Sequence, residues 1–166
     1  MKKTKPDPDE ARRFLGRYRP AQVRVELLTK RLSRLQDRAS GPRSARLDGL
    51  PGAPRGTTGD PVGELAAELE DTKKELQEAT ATRDQIKAEI RRELNALPRE
   101  SETDEREHLI LLAKYIDGED WAGIAEIIYG DRADFDDKLD SLIRQCHKLH
   151  HKALYELSKI VMEDMK

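Results

Sequence analysis

The sequence predicts an all-α protein: a long antiparallel helical hairpin of coiled-coil type, followed by a small C-terminal helical domain. The chain has 166 residues, of which 39% are charged. Its mean hydropathy is −0.83, and Leu, Ile, Val and Phe together make up about a fifth of it, so one large globular core is not expected. Leu greatly outnumbers Val, which favours helices over strands. The apolar residues recur at helical spacing, so narrow seams on long helices can bury them.

The first predicted helix begins near Asp7 and extends through Ala39. Asp7 is a cap-type residue, and the acids after it suit the first turn of a helix. Apolar residues then alternate at spacings of four and three, which is a heptad seam. Because Pro20 supplies no backbone N–H, we expect the helix to kink or restart there. The seam consists of Phe14, Tyr18, Ala21, Val25, Leu28, Leu32, Leu35 and Ala39.

The second predicted helix follows a loop at residues 40–60, which holds five of the ten glycines and three of the eight prolines. Asp60 and Pro61 resemble a cap and a first-turn proline, and Pro98 ends the helix. Two such helices most simply pair antiparallel, so residues 1–100 are predicted to form a hairpin. A two-helix hairpin leaves part of each seam uncovered, so further packing is expected, either against the C-terminal domain or against a second copy. The second seam reads Val62, Leu65, Leu69, Thr72, Leu76, Ala79, Arg83, Ile86, Ile90, Leu94 and Leu97, with Thr72 and Arg83 as its weak positions.

Residues 101–166 are predicted to form the C-terminal domain. Cap-type residues from Ser101 start a helix that ends at Gly118, a short helix bearing Trp121 ends at Gly130, and a polar connector over 131–137 leads to a long last helix. This order of elements is that of a helix-turn-helix. Trp121 and Phe135 are expected in its core, as is one stripe of the last helix: Leu139, Leu142, Cys146, Leu149, Ala153, Leu157 and Ile160.

Charge is unevenly distributed along the chain. Residues 1–58 carry a net charge of +9, residues 59–103 of −5 and residues 104–166 of −6. The basic N-terminal block suggests an anionic partner. It would equally be explained by a basic helix packed beside an acidic one, and the sequence leaves both explanations open.

The outer face of the last helix is locally basic. A helical wheel turns Arg144, Lys148, His151 and Tyr155 outward, and residues 141–162 carry four basic side chains against one acid. Long cationic side chains suit phosphate oxygens, and Arg and Gln can also read base edges in a major groove. A charged outer face is also ordinary on a soluble helix, so a merely solvated face is the alternative. Flanking residues are Gln145, His147 and Lys152.

Two runs of the C-terminal domain resemble a known family. Leu109–Leu112, Tyr115–Gly118, Trp121 and Ile124–Ala125 resemble the LxxRYIxGxSWxEIA run of sigma-70 region-4-like helix-turn-helix domains. His147–Leu154 is similar to the YRLHxKAL end of the recognition helix in those domains. With the hairpin and the Leu-Pro-Gly-Ala-Pro loop, the layout resembles small phage and prophage proteins related to the RinA and ArpU late transcription regulators.

The resemblance implies a sequence-specific, DNA-binding transcription regulator that reads the major groove of double-stranded DNA with its last helix. Carried over by position, the DNA-binding residues are Arg144, Gln145, His147 and Lys148, with His151 and Lys152 nearer the backbone. RNA polymerase is a further candidate partner, and the bacterial cytosol the expected location. The chain departs from the family pattern in about ten extra residues, 131–140, of which five are Asp, and in Ala113–Lys114 where Leu-Arg is usual.

Other classes of function find little support in the sequence. Cys146 with His150, and His147 with His151, are pairs four residues apart, but the two pairs point to different sides of the helix, so no metal site is expected. Neither a catalytic residue nor a cofactor motif stands out, and we expect no enzyme activity. The chain has no apolar run long enough to cross a membrane and no signal-peptide pattern, so we expect a cytosolic protein without a membrane partner. The competing interpretation is a phage assembly or packaging protein, or a coiled-coil scaffold, similar to a small terminase subunit.

Overall fold

Every regular element of the described chain is helical. The computed structural model describes residues 6–41 and 61–164, and no strand occurs within these ranges, which confirms the all-α prediction. The predicted Gly- and Pro-rich loop lies almost wholly outside them, as does Asp60. The elements are α1 (Pro8–Gly16), α2 (Tyr18–Ser40), α3 (Pro61–Asn95), α4 (Glu102–Leu112), a π-helical turn (Ala113–Asp117), α5 (Trp121–Tyr129) and α6 (Phe135–Asp164).

Local sequence sets where these helices begin. The Asp7 side chain accepts a hydrogen bond from the backbone N–H of Asp9 at 2.9 Å and caps α1. The helix α1 ends at Gly16 and α2 begins at Tyr18, so Pro20 lies in the first turn of α2, where a missing backbone N–H costs little. The predicted interruption of the first helix near Pro20 is confirmed, and it lies between Gly16 and Tyr18, just before the proline. Ser101 and Asp104 form a reciprocal capping box at the start of α4.

The described chain divides into two compact units. The terminal unit contains residues 6–22 and 82–164, and the hairpin unit contains residues 23–41 and 61–81. The division therefore falls within α2 and α3, and not after residue 100 as the sequence boundary had it. The physical reason is that α1 and the end of α3 bury their apolar side chains together with those of α6.

The hairpin unit is an antiparallel pair formed by parts of α2 and α3. Val25 and Leu28 of α2 cluster with Ala79 of α3, and Arg31 further along α2 pairs with Glu68 at 3.0 Å. Residues later in α2 therefore contact residues earlier in α3, which is the antiparallel arrangement predicted for the hairpin. Thr72, a weak position of the predicted seam, is buried.

The terminal unit has two apolar clusters, and α6 contributes to both. The first cluster joins α1, the start of α2, the end of α3, α4, the π turn and the C-terminal half of α6. The second joins α4, the π turn, α5 and the N-terminal half of α6. Buried members from α6 are Ala153, Leu154, Leu157 and Val161 in the first cluster, and Leu142 and Cys146 in the second.

The π turn ends at Gly118, which adopts a left-handed conformation with φ +80°. This backbone conformation favours glycine, because other L-residues adopt it only with strain. The sequence predicts the stop at Gly118, but an α-helix rather than a π turn before it. Within this turn Ala113 and Ile116 are buried.

The assignment of α1 to the terminal unit can be tested with Leu15→Ala. Leu15 is fully buried in the first cluster, so its truncation should lower the free energy of unfolding by about 2–5 kcal/mol. Urea unfolding followed by the fluorescence of Trp121, the single tryptophan, reports on this unit. Leu27→Ala is the matched control, because Leu27 is 61% exposed and its truncation should change stability by less than about 0.5 kcal/mol. An unchanged Trp121 transition in Leu15→Ala would contradict the assignment.

Candidate nucleic-acid interface

The outer face of α6 is set by the burial of its inner face. This 30-residue helix places Leu142, Cys146 and Leu154 in the two clusters, and at 3.6 residues per turn the intervening positions face solvent. All six residues predicted to bind DNA are exposed there. They are Arg144, Gln145, His147, Lys148, His151 and Lys152.

Arg144, Lys148 and His151 follow one line along α6, at spacings of four and three residues. Among the described residues, no ion pair engages Arg144 or Lys148. Tyr155 continues the same line, and the ammonium group of Lys159 lies 4.7 Å from its ring centroid. Arg144 and Lys148 are therefore the two cations of this line without an ion pair among the described residues, whereas Lys159 pairs with Glu156 at 2.7 Å.

Lys152 differs from the other predicted contacts because it forms an ion pair with another residue of the protein. Its Nζ donates to Oε1 of Glu107 on α4 at 2.6 Å. The Glu107 side chain is only 8% exposed, and the hydrogen bond to this carboxylate raises the pKa of Lys152. Lys152 thus neutralises a buried acid and links α6 to α4.

His147 packs against Trp121 at the start of α5. The two ring centroids are 3.9 Å apart, and the ammonium group of Lys114 lies 4.9 Å from the Trp121 ring. Trp121 and Phe135 both pack against the second cluster, as the sequence predicts. His147 is exposed, but its ring joins α6 to α5, which the sequence pattern does not indicate.

His150 lies on the buried side of α6 and holds it to the π turn. Its Nε2 is 3.1 Å from the hydroxyl oxygen of Tyr115, and the two rings are stacked. Burial first, and then the positive charge of Arg12, lower the pKa of His150 to about 4, so the imidazole is neutral near pH 7. Cys146 lies in the second cluster, where burial raises the pKa of its thiol. Over residues 6–41 and 61–164, no three His, Cys, Asp or Glu side chains are grouped as metal ligands would be.

The Asp-rich insertion is divided between the connector and α6. The connector was predicted to extend to residue 137, but α6 already begins at Phe135, so the insertion lengthens the helix. Asp134 is neutralised by Arg132 at 2.9 Å and Lys138 at 2.6 Å, and these bonds hold its pKa well below the usual range. Three exposed acids remain in the first turns of α6, where they suit the helix dipole. They are Asp136, Asp137 and Asp140.

No helix within the two described ranges combines the length and the apolar character needed to span a membrane. Comparisons with protein-family models, with curated proteins and with solved structures gave no match for this chain. The resemblance to helix-turn-helix regulators therefore stays a prediction from the residues quoted above.

Lys152 and Lys148 should respond differently to truncation. Lys152→Ala leaves the buried Glu107 carboxylate without its partner and should lower the free energy of unfolding by about 1–3 kcal/mol. Lys148→Ala removes an exposed, unpaired cation, and the expected change is below about 0.5 kcal/mol. Urea unfolding of both variants followed by circular dichroism measures the difference. Equal stability of the two variants would contradict a structural role for Lys152.

Stability should fall in mild acid because of His150. Its folded-state pKa of about 4 lies below the ordinary value of 6.5, so protonation favours the unfolded chain. Above about pH 6.5 the imidazole is neutral in both the folded and the unfolded chain, so His150 does not lower the free energy of unfolding. As the pH falls towards about 4, the free energy of unfolding decreases by on the order of 2 kcal/mol, because the unfolded chain binds the proton more tightly. Burial also lowers the pKa of His108, which acts in the same direction.

The contribution of His150 can be isolated by comparing unfolding free energies of the wild type and His150→Gln from about pH 7 to about pH 4.5. Glutamine does not titrate, so the variant should lose less stability over this range and retain the part that is due to His108. Parallel pH profiles for the two proteins would rule out the assignment to His150.

Proposed function

We propose that this protein is a double-stranded-DNA-binding transcription regulator of phage or prophage type, and that the outer face of α6 contacts DNA. The observation that supports this most directly is the pair Arg144 and Lys148. These two cations lie one turn apart on the exposed side of α6 and have no ion-pair partner among the described residues. Cations in this arrangement suit the phosphates and base edges that border a major groove.

The six predicted contacts differ in what they are free to do. Arg144 and Gln145 are exposed, and their side-chain types can form bidentate bonds to guanine and adenine edges. Lys148 and His151 suit phosphate oxygens. Lys152 is already bound to Glu107, and His147 is packed on Trp121, so these two residues position α6 and are secondary as DNA contacts.

The acidic start of α6 limits how the helix can approach DNA. Asp136, Asp137 and Asp140 are exposed at the end of α6 nearest the connector and would repel phosphates. The middle of α6 is therefore the part that enters the groove, and few phosphates are neutralised by one chain. We expect modest, strongly salt-dependent affinity. A second copy of the chain, or RNA polymerase in the bacterial cytosol, would supply the remaining affinity by binding the same DNA while bound to this chain.

The proposal is tested by selecting bound duplexes from a random DNA library and titrating the selected duplex by fluorescence anisotropy at two salt concentrations. Arg144→Ala and Lys148→Ala should each weaken binding by about tenfold or more, the loss expected for a charged contact of about 1.5 kcal/mol or more. Lys74→Ala is the matched control, because Lys74 is an exposed lysine of α3 with no ion pair among the described residues. Failure of the folded wild type to enrich any duplex, or equal affinity in all variants, would contradict the proposal.

One feature favours a scaffold or assembly role as the second candidate. Val23 and Leu27 are exposed apolar residues one turn apart on α2, as a helix that pairs with another chain would present them. A packaging protein similar to a small terminase subunit would form a large oligomer of defined size. Light scattering of the full chain separates the two candidates, since a monomer or dimer contradicts the assembly role.

A further inference from the structure

A groove of about 240 Å³ lies beside the α6 face, between α4, the end of α5 and α6. Its lining residues come from all three helices: Thr103 and Arg106 from α4, Tyr129 from α5, and Gln145, Lys148 and Leu149 from α6. Gln145 and Lys148 belong to the predicted DNA-binding residues, whereas nothing in the sequence pattern singles out Thr103 or Arg106. The groove thus continues the α6 face onto a different helix.

Four of the six residues that line this groove can contact an anion, while Tyr129 and Leu149 contribute apolar surface. Arg106 and Lys148 are cationic, Thr103 and Gln145 each offer a neutral hydrogen-bond donor, and no carboxylate is among the lining residues. This distinguishes the groove from a second one along α4, where Asp104, Glu107 and Glu156 are part of the lining. A fork-shaped guanidinium beside an ammonium group matches the oxygens of a phosphate.

Arg106 is held in place while its charge stays accessible. Its guanidinium carbon lies 5.1 Å from the ring centroid of Tyr129, which orients the side chain along the groove wall. Among the described residues its ion-pair partner is Glu102, whose carboxylate accepts from Nη2 at 2.6 Å, and the Glu102 side chain is 80% exposed. Ion pairs this exposed are weak, so a phosphate with two or three oxygens can displace Glu102.

We infer that this groove binds a phosphate group and that, in the complex with DNA, it receives a backbone phosphate next to the α6 face. Arg106 would form the principal contact, with Thr103 and Gln145 as neutral donors. This inference rests on the proposed function, because the phosphate is taken to belong to the DNA that α6 binds. It adds a contact on α4 that is independent of base sequence.

The first test measures the salt dependence of DNA affinity in the full chain. Arg106→Ala should weaken binding to every duplex by a similar factor, about tenfold, and should reduce the slope of log Kd against log salt by about 0.9, the value for one lost phosphate contact. Arg91→Ala is the matched control, because Arg91 is an exposed arginine outside the groove. Arg91→Ala should change both the DNA affinity and the salt slope by less than Arg106→Ala does.

Two further variants separate a phosphate contact from a loss of folding. Glu102→Gln removes the residue that competes for Arg106 and should tighten DNA binding two- to threefold. Thr103→Val removes a donor without changing charge and should weaken binding by a smaller factor than Arg106→Ala. Circular dichroism checks that each variant is folded. Intact affinity and salt slope in Arg106→Ala, in a chain that binds DNA, would overturn the inference and leave the proposed function standing.

The second test uses inorganic phosphate as the probe. In the full chain, NMR signals of the Arg106 Nε–H and the Gln145 side-chain amide should shift in a saturable way with sodium phosphate, and not with sodium chloride at equal ionic strength. Shifts that are the same for both salts would overturn the inference. Phosphate-specific shifts in a chain that binds no duplex would contradict the proposed function, while supporting the groove as a site for free phosphate.

Discussion

The arrangement of the terminal unit depends on the burial of one side of α6 along most of its length. Its N-terminal half packs with α4 and α5, and its C-terminal half packs with α1 and the end of α3. Because a single rigid helix joins both clusters, the rotation of α6 about its own axis is fixed at two places. The same constraint decides which side chains face solvent, so the core determines the surface proposed to bind DNA.

Polar contacts refine the position that apolar burial sets. His150 joins the inner side of α6 to Tyr115 of the π turn, His147 joins it to Trp121 of α5, and Lys152 joins it to Glu107 of α4. Each of these side chains is polar, yet each contacts a neighbouring element and holds α6 in place. The cations that remain available are Lys148, which lies between the links at His147 and His150, and Arg144, which lies about one turn before the first link.

How much the sequence could predict depends on the range of the interaction. Helix starts and stops follow from neighbouring residues, so the caps at Asp7 and Ser101 and the stop at Gly118 were predictable. Heptad spacing likewise identified buried positions such as Leu94 and Leu157. It could not say against what they are buried, because a seam residue on α1 has the same pattern whether it faces α3 or α6. For this reason the compact units divide within α2 and α3, whereas the sequence pattern places its boundary after residue 100.

The candidate site shows the same difference between features set by neighbouring residues and features set by long-range packing. Exposure of the outer α6 residues follows from helical geometry alone. The pairing of Lys152 with Glu107 joins residues 45 positions apart in the chain, and the groove lined by Arg106 requires three helices to meet. No local pattern encodes either of these. The π turn is also not predicted by the pattern, although one of its residues, Tyr115, stacks on His150 of α6.

The claim that the outer face of α6 is the binding surface is tested most directly by mapping backbone amide chemical shifts of the full chain while double-stranded DNA is added. Our account predicts that the largest changes fall between Arg144 and His151, with a second set on α4 around Arg106. Changes confined to the hairpin unit, or no changes at DNA concentrations that saturate binding, would contradict it.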